Sequence, residues 1–150
     1  MICGIDPGRT GAIAFLYNNG KKDFFAEVHD MPVFDREINA SALADLMREM
    51  KPRHTYVEKV TAFNMGRTSA HSFGKSVGVI EGVLATLKLP RTLVVPQTWK
   101  KHFSLIKQDK SASRLLATRL FPKNTDDFLR AKDDGRAEAL LIAKWGGDCE

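Results

Sequence analysis

The first 31 residues contain three successive strand-like segments separated by turn-forming residues. MICGI and GAIAFLY are rich in apolar and β-branched residues and flank the turn sequence DPGRTG. DFFAEVHDM follows with a rough alternation of apolar and polar side chains. Because short turns connect antiparallel neighbours, the chain is predicted to begin with a β-meander.

The rest of the chain alternates between helical and strand patterns. A helix over NASALADLMREMK ends before Pro52, and HTYVEKV is predicted to be a fourth strand. The later segments are a long helix, SAHSFGKSVGVIEGVLATLKLP, a fifth strand, RTLVVP, and three helices, QTWKKHF, KSASRLLATRLF and AEALLIAKW. This order predicts an α/β fold with a five-stranded mixed sheet flanked by helices on both faces. With no repeat and no long linker, residues 1–150 are expected to form a single domain.

Composition limits the classes of protein that remain. A chain with 43% hydrophobic and 27% charged residues can bury a core of ordinary size. No apolar stretch approaches the roughly 20 residues of a membrane helix, and a turn motif stands where a signal peptide would be cleaved. We expect a cytoplasmic protein that has no membrane partner.

The charges are unevenly distributed along the chain. Residues 1–50 hold 5 Lys and Arg against 8 Asp and Glu, residues 51–123 hold 14 against 3, and residues 124–150 hold 4 against 7. The middle segment therefore carries +11. A solvated basic surface is one explanation, but a block so one-sided favours a face that binds a polyanion such as nucleic acid.

Two carboxylates occupy positions that are unusual for a charged group. Asp6 ends an apolar strand, although the Asp-Pro-Gly turn explains it without any further role. Glu58 lies within the fourth strand, where a central position would disfavour a carboxylate. The alternatives for Glu58 are an edge strand with the side chain in water, or a salt bridge to a lysine.

A third acidic cluster lies at the start of the last helix. Asp134 and Glu138 are four residues apart and share a helix face with Leu141 and Trp145, so both carboxylates are predicted to point inward. Asp134 and its neighbour Asp133 also suit a helix N-terminus, which Glu138 does not. Two inward carboxylates cost several kcal/mol unless a cation or a proton compensates them. A divalent metal ion is the simplest compensator.

The unusual acids form one candidate set: Asp6, Glu58, Asp134 and Glu138. Oxygen ligands of this kind suit Mg²⁺, or Mn²⁺ as its substitute. Two such ions about 3.5–4 Å apart can hold the attacking water and the departing 3′ oxygen of a phosphodiester. The set predicts a metal-dependent nuclease with two ions in its active site.

Five blocks of the sequence carry a family resemblance. They are GIDPG on the first strand, VEKV on the fourth, FGKSVGVIEGVLATL on the long helix, VVPQTWKK at a strand-to-helix passage, and DDGRAEALLIA at the end. In this order they resemble RuvC-type Holliday junction resolvases over nearly the whole chain, and most of all the compact phage versions.

The resemblance implies a ribonuclease-H-like fold, a homodimer, and Mg²⁺-dependent paired nicking of four-way DNA junctions in recombination and repair. It places the protein in the cytoplasm of a bacterium or of a phage-infected cell, and it makes Asp6 and Glu58 the first two acids of the family's four. A relaxed debranching nuclease that also cuts flaps, forks or RNA–DNA hybrids is an alternative. A non-catalytic junction-binding protein is another.

The closing motif departs from the bacterial pattern of the family. Bacterial members usually have an aspartate where Glu138 stands and an Asp or His three residues before it, a position that Gly135 occupies here. The acid pair at i and i+4, Asp134 and Glu138, resembles the mitochondrial branch instead. Whether Asp133 or Asp134 is the ligand stays open.

Further residues are candidates for DNA binding and for assembly. Phe63 is either a core aromatic or the junction-facing aromatic that the family carries after its second acid. The basic candidates for phosphate contacts are Arg67, Lys75, Lys100, Lys101, Lys107 and Lys110. Gly74, Gly78 and Gly82 recur every four residues on the long helix, which indicates close approach either to the sheet or to a partner helix. The resemblance favours the partner helix, in a dimer interface.

Overall fold

The structure, a computed structural model, describes residues 1–18, 24–60 and 65–149, without the side chains of Asn18 and Lys110. The strands are β1 Ile2–Asp6, β2 Ala12–Asn18, β3 Phe24–Asp30, β4 Val33–Phe34, β5 Glu37–Ile38, β6 His54–Glu58 and β7 Arg91–Val94. The helices are α1 Ala40–Met50, α2 Arg67–Thr86, α3 Pro96–His102, α4 Lys110–Leu120 and α5 Asp134–Cys149, with short 3₁₀ segments at Pro122–Phe128 and Ala131–Asp133.

Five strands form one mixed sheet in the order β3-β2-β1-β6-β7. Strand β2 pairs antiparallel with both β1 and β3, which is the predicted meander. Strands β1, β6 and β7 run parallel to one another. The parallel pairs need crossover connections, and helices α1 and α2 provide them. The predicted five-stranded mixed sheet is confirmed.

Helices cover both faces of this sheet, as predicted. Because side chains alternate along a strand, Ile13 and Phe15 of β2 pack with α1 and α2, whereas Leu16 packs on the opposite face. The first core also contains Leu43, Met47, Ile80 and Leu84, and the second contains Trp99, Leu140, Leu141 and Ile142. Helix α5 lies over the middle of the second face. Its position therefore determines which side chains of its first turns reach the edge of the sheet.

The main differences from the predicted elements are small. The β4–β5 hairpin was not predicted, because its strands are two residues long and its turn places Asp35 and Arg36 at φ 48° and 61° without glycine. Helix α5 begins at Asp134 and ends at Cys149, beyond both ends of the predicted AEALLIAKW. Among the described residues, no helix combines the length and apolar character needed to cross a membrane.

Candidate metal centre

Two of the predicted acids end neighbouring parallel strands. Asp6 is the last residue of β1 and Glu58 is the last residue of β6, with Ile5 of one strand opposite Val57 of the other. The carboxyl ends of parallel strands meet at the same edge of a sheet, which brings these two side chains together. Strand β6 lies between β1 and β7, so the edge-strand explanation for Glu58 was wrong.

The third acid reaches this edge from α5, because the helix packs directly on β1. A methyl group on Gly4 would lie 2.1 Å from the carbonyl oxygen of Ala139, so only glycine permits this approach. Glu138 precedes Ala139 and joins the strand acids. Asp6, Glu58 and Glu138 each offer a carboxylate oxygen within 4.8 Å of the others. We call this set the carboxylate cluster.

Glu58 is the most buried member of the carboxylate cluster, with 6% of its surface exposed. Burial raises the pKa of Glu58, and the nearby Glu138 carboxylate raises it further. The indole Nε1 of the fully buried Trp99 donates a hydrogen bond to Oε1 of Glu58 at 2.9 Å, which acts in the opposite direction. The fold thus holds a carboxylate where its charged form is disfavoured.

Two groups from the neighbouring helices α3 and α4 contact Glu138. Nζ of Lys100 lies 3.2 Å from Oε1 of Glu138, and the Ser113 hydroxyl donates to the same oxygen at 3.5 Å. Lys100 thus places one ammonium beside the three carboxylates. Hard oxygen donors gathered in this way fit a divalent ion such as Mg²⁺ or Mn²⁺, so the residues present suit the predicted metal.

The other two helix acids lie in ion pairs outside the carboxylate cluster. Oδ1 of Asp134 accepts a hydrogen bond from Nε of Arg114 at 2.8 Å. Asp133 is 2% exposed and accepts from the backbone N–H and the guanidinium of Arg130, a contact that lowers the pKa of Asp133. The prediction that one of these acids is the fourth metal ligand stays a prediction.

The predicted DNA-contacting residues are spread over several elements. Arg67 opens α2 and is exposed, Lys75 forms an ion pair with Glu37, and Lys101 and Lys107 are exposed. Lys100 is about one-third exposed and pairs with Glu138. Phe63 lies outside the described residues, and so does the side chain of Lys110. Their contacts with phosphate stay predictions.

The three glycines of α2 do not face the sheet. In the described part of the chain, a methyl group on Gly74, Gly78 or Gly82 would meet no atom within 4 Å beyond its own helix. Close approach to the sheet, one of the two predicted explanations, is therefore wrong. The open face leaves the partner helix as the explanation to be tested.

Sequence reasoning missed two residues that support the site. Trp99 stands within a predicted basic helix, and a buried indole N–H requires an acceptor, which here is Glu58. Arg114 gave no signal of its own, because its role depends on how α4 packs against α5. Only the first of these had a recognisable clue in the sequence.

No protein-family model matches the chain, and no curated protein matches its sequence. Solved structures match it at low identity. RuvC of Thermus thermophilus in complex with a Holliday junction substrate is 17% identical, with a TM-score of 0.71 over 95% of this chain and 89% of that one. The fowlpox virus resolvase in complex with Holliday junction DNA is 15% identical, with a TM-score of 0.61 over 100% of both chains. The yeast mitochondrial Holliday junction resolvase is 15% identical, with a TM-score of 0.56 over 95% of this chain and 75% of that one. The chain therefore has the ribonuclease-H-like fold of RuvC and the Holliday junction resolvases.

Proposed function

We propose that this protein is a divalent-metal-dependent DNA endonuclease that resolves four-way junctions by paired nicking, with residues 1–150 as one nuclease domain. The observation that carries the proposal is the carboxylate cluster, built from three separate elements at one sheet edge of a resolvase fold. A structural role alone does not explain three carboxylates brought so close together, because their mutual repulsion opposes folding.

The chain's own residues would hold the metal and keep its ligands in place. Asp6, Glu58 and Glu138 are the proposed ligands, with Asp134 or its neighbour Asp133 as the predicted fourth, Mg²⁺ as the natural ion and two ions as the predicted number. When bound, such ions supply Lewis acidity and a nucleophilic water for phosphodiester hydrolysis, which leaves 5′-phosphate and 3′-hydroxyl ends. Trp99 fixes the orientation of Glu58 through its hydrogen bond, and Lys100 reduces the net charge around Glu138.

Branched DNA is the proposed substrate because of the basic middle segment. Residues 51–123 carry a net charge of +11, and their exposed basic side chains include Arg67, Lys101 and Lys107. Exposed side chains of this kind are accessible to the phosphates of DNA. The similar structures of Thermus thermophilus RuvC and the fowlpox virus resolvase are complexes with Holliday junctions. Phosphate contacts of this kind orient the duplex arms without reading their sequence.

A homodimer would supply the two active sites that paired nicking requires. The proposed interface is the open face of α2 at Gly74, Gly78 and Gly82, where the lack of side chains allows a second helix to approach closely. A symmetric dimer uses the same patch on both subunits, which places the two sites in equivalent positions.

The proposed activity is tested with purified protein on labelled four-way junctions, flaps, forks, RNA–DNA hybrids and linear duplex, with Mg²⁺ or with EDTA. We expect paired nicks on the junction with Mg²⁺ and none with EDTA. Asp6→Asn should lower the cleavage rate by at least about 10²–10³-fold, the scale of losing one electrostatic stabiliser, while junction binding is kept. Binding lost together with cleavage would contradict the metal role of Asp6.

The substrate panel also separates the two alternatives. Equal rates on flaps, forks and junctions would indicate a relaxed debranching nuclease. Tight junction binding without cleavage, with either Mg²⁺ or Mn²⁺, would indicate a non-catalytic junction-binding protein. The carboxylate cluster favours the enzyme over the latter, because a protein that only binds DNA gains nothing from concentrated negative charge beside phosphate.

The dimer is tested by Gly78→Leu, which should place an isobutyl group in the proposed interface. We expect a folded monomer by light scattering, with a dissociation constant raised at least about tenfold, corresponding to 1.4 kcal/mol, and with mostly single nicks on the junction. A wild-type protein that is monomeric at micromolar concentration would contradict this interface.

A further inference from the structure

The turn between β1 and β2 carries an exposed arginine, Arg9, three residues after Asp6 of the carboxylate cluster. The backbone of this turn is tightly constrained. The amide of Gly11 donates to the carbonyl oxygen of Gly8 at 3.1 Å, and a methyl group on Gly11 would lie 2.0 Å from the carbonyl oxygen of Asp6. Arg9 therefore extends from a backbone whose position relative to Asp6 is fixed.

A backbone carbonyl of the β4–β5 hairpin orients the Arg9 guanidinium. Nη1 of Arg9 donates to the carbonyl oxygen of Arg36 at 3.0 Å. Asp35 and Arg36 form the hairpin turn with φ of 48° and 61°, in the left-handed region that favours glycine, and such conformations concentrate at functional sites. Because a carbonyl has no net charge, it fixes the direction of the guanidinium without compensating its charge.

The β4–β5 hairpin adds little to the core. The amide of Asn39 donates to the carbonyl oxygen of Pro32 at 2.9 Å, so residues 33–38 leave the chain and return to almost the same point. Ile38 is buried in the core, whereas residues 33–37 are exposed. Burial of one side chain does not account for a six-residue excursion, so the contact with Arg9 is the better explanation of the hairpin.

Two grooves meet at Arg9. One, of about 240 Å³, lies between the β4–β5 hairpin and α2, and the other, of about 260 Å³, lies between the β1–β2 turn, the end of β3 and the 3₁₀ segment Ala131–Asp133. Each is lined by three Lys or Arg side chains and two carboxylates, and Arg9 is one of the three cations in both. Without Arg9, the Lys, Arg and carboxylate charges of each groove would cancel.

A fixed cation at this place suits a DNA backbone. Phosphates that approach the carboxylate cluster are repelled by it, and a guanidinium beside Asp6 offsets that repulsion. Arginine also presents its donors as a planar fork that matches phosphate. Arg9 lies in the segment 1–50, where 8 Asp and Glu outnumber 5 Lys and Arg, so the charge distribution along the sequence did not indicate it.

We propose that Arg9 contacts a DNA phosphate beside the cleaved bond, and that the β4–β5 hairpin orients it through the carbonyl oxygen of Arg36. This inference rests on the proposed nuclease function, because it adds a substrate contact to that site.

The salt dependence of junction binding in EDTA tests the phosphate contact without any turnover. Arg9→Ala should flatten the slope of log affinity against log salt by about 0.9, the contribution of one phosphate contact. Arg91→Ala is the matched control and should keep the wild-type slope, because Arg91 is an exposed arginine at the start of β7, at the opposite edge of the sheet. A wild-type slope in Arg9→Ala would overturn the inference.

Neutral phosphate analogues locate the contact. A methylphosphonate is placed at each position next to the cut in turn, and junction binding is measured in EDTA. In wild type, one position should weaken binding by about 10–100-fold, the range for a hydrogen bond to a charged group. In Arg9→Ala the same position should have no effect, because the two changes remove one interaction. If every position keeps its effect in Arg9→Ala, the contact does not lie beside the cut and the inference is overturned.

A shortened hairpin tests the orienting role. Replacing Phe34–Glu37 by Asn-Gly keeps the Val33–Ile38 pair and a two-residue turn, but removes the Arg36 carbonyl from Arg9. It should weaken junction binding in wild-type Arg9 and have no further effect in Arg9→Ala. Arg36→Gly, which keeps the carbonyl and suits the positive φ, should bind as wild type. Additive losses, or a loss in Arg36→Gly as large as in the shortened hairpin, would overturn the inference.

Folding and function are separated by a milder variant and by the wild type. Arg9→Gln removes the charge but keeps hydrogen-bonding capacity, and should show the same flattened slope with an unchanged circular dichroism spectrum. A wild type that neither prefers the junction to linear duplex nor cuts any branched DNA contradicts the proposed function itself. A wild type that does both, while Arg9→Ala and Arg9→Gln keep its salt slope, contradicts this inference alone.

Discussion

Helices α2 and α5 both carry glycines, but the two sets have opposite surroundings. On α5, a methyl group at Gly146 would lie 2.2 Å from the Tyr56 ring, and one at Gly135 would press on Asp6 and Thr10. On α2, the glycines face open space in the described part of the chain. The same residue therefore serves close packing in one helix and leaves an uncovered face on the other. Glycine spacing in a sequence does not by itself distinguish a closely packed helix face from an uncovered one.

The largest effect is expected where the sheet and α5 are in closest contact. In Gly4→Ala, the new methyl group would lie 2.1 Å from the carbonyl oxygen of Ala139 and 2.5 Å from the amide nitrogen of Ala143, both backbone atoms. We expect a loss of about 3 kcal/mol in the free energy of unfolding, at the upper end of the range for overpacking. Urea denaturation measures it. A stability equal to wild type would show that α5 is free to shift.

A second prediction concerns catalysis more than folding. Gly135→Ala should push the start of α5 away from Asp6 and so separate Glu138 from the strand acids. A displacement of about 1 Å at a reacting centre can cost about 100-fold in rate. We expect that loss in single-turnover junction cleavage, with helical content retained by circular dichroism. Unchanged cleavage would mean that this contact does not position Glu138.

The close approach of α5 also has an electrostatic consequence, because it brings Glu138 beside Glu58. A residue of α2 serves as the control. The pKa of Glu58 is raised above its ordinary 4.5, mainly by burial and also by Glu138, so ionisation of Glu58 destabilises the fold. Without metal, stability should fall as pH rises above 4.5 and through the folded pKa. Glu58→Gln should therefore melt above wild type in EDTA, by a margin that is absent near pH 4 and grows as the pH rises through the folded pKa.

Two controls accompany the Glu58 measurement. Glu81→Gln, on α2, should show no such growing margin, because Glu81 lies outside the carboxylate cluster. Adding Mn²⁺ should reverse the order, because the ion stabilises wild type through Glu58. A margin independent of both pH and metal would contradict the account of Glu58.

The smallest effect is expected on the open face. Gly74→Ala, studied at concentrations low enough to keep the chain monomeric, should raise the free energy of unfolding by about 0.5–1 kcal/mol, because alanine has the higher helix propensity and meets no neighbour. Chemical denaturation of both proteins measures the difference. A loss of stability would mean that this face is covered within one chain, and would remove the contrast between the two helices.

Much of the fold was predictable from local patterns. Alternation in the first strands, cap residues such as Asn39 and the apolar spacing of the helices each depend on a few neighbouring residues. Glu138 could be suspected because an acid in an inward-facing helical pattern has no local explanation. The β4–β5 hairpin could not be predicted, since its turn residues Asp35 and Arg36 adopt positive φ although neither is a glycine.

The site was also predictable only in part, because only some of its features follow from local patterns. Asp6 and Glu58 end parallel strands, so strand order alone brings them together. Asp134 and Glu138 share a predicted helix face, yet the structure places one beside Arg114 and the other in the carboxylate cluster. Which neighbour each acid contacts depends on the distance between α5 and the sheet. The sequence pattern does not specify that distance.

The sequence by itself determined the order of the helices and of the five sheet strands, the basic middle segment and the residues able to bind a metal. These follow from side-chain chemistry and from periodicities of two and 3.6 residues, which operate over one turn or one strand. Tertiary structure alone decided that Trp99 supports Glu58, that Asp134 pairs with Arg114, and that the α2 glycines face outward. The two hydrogen bonds join segments far apart in the chain, and only the packing of α3, α4 and α5 against the sheet brings such segments within hydrogen-bonding distance.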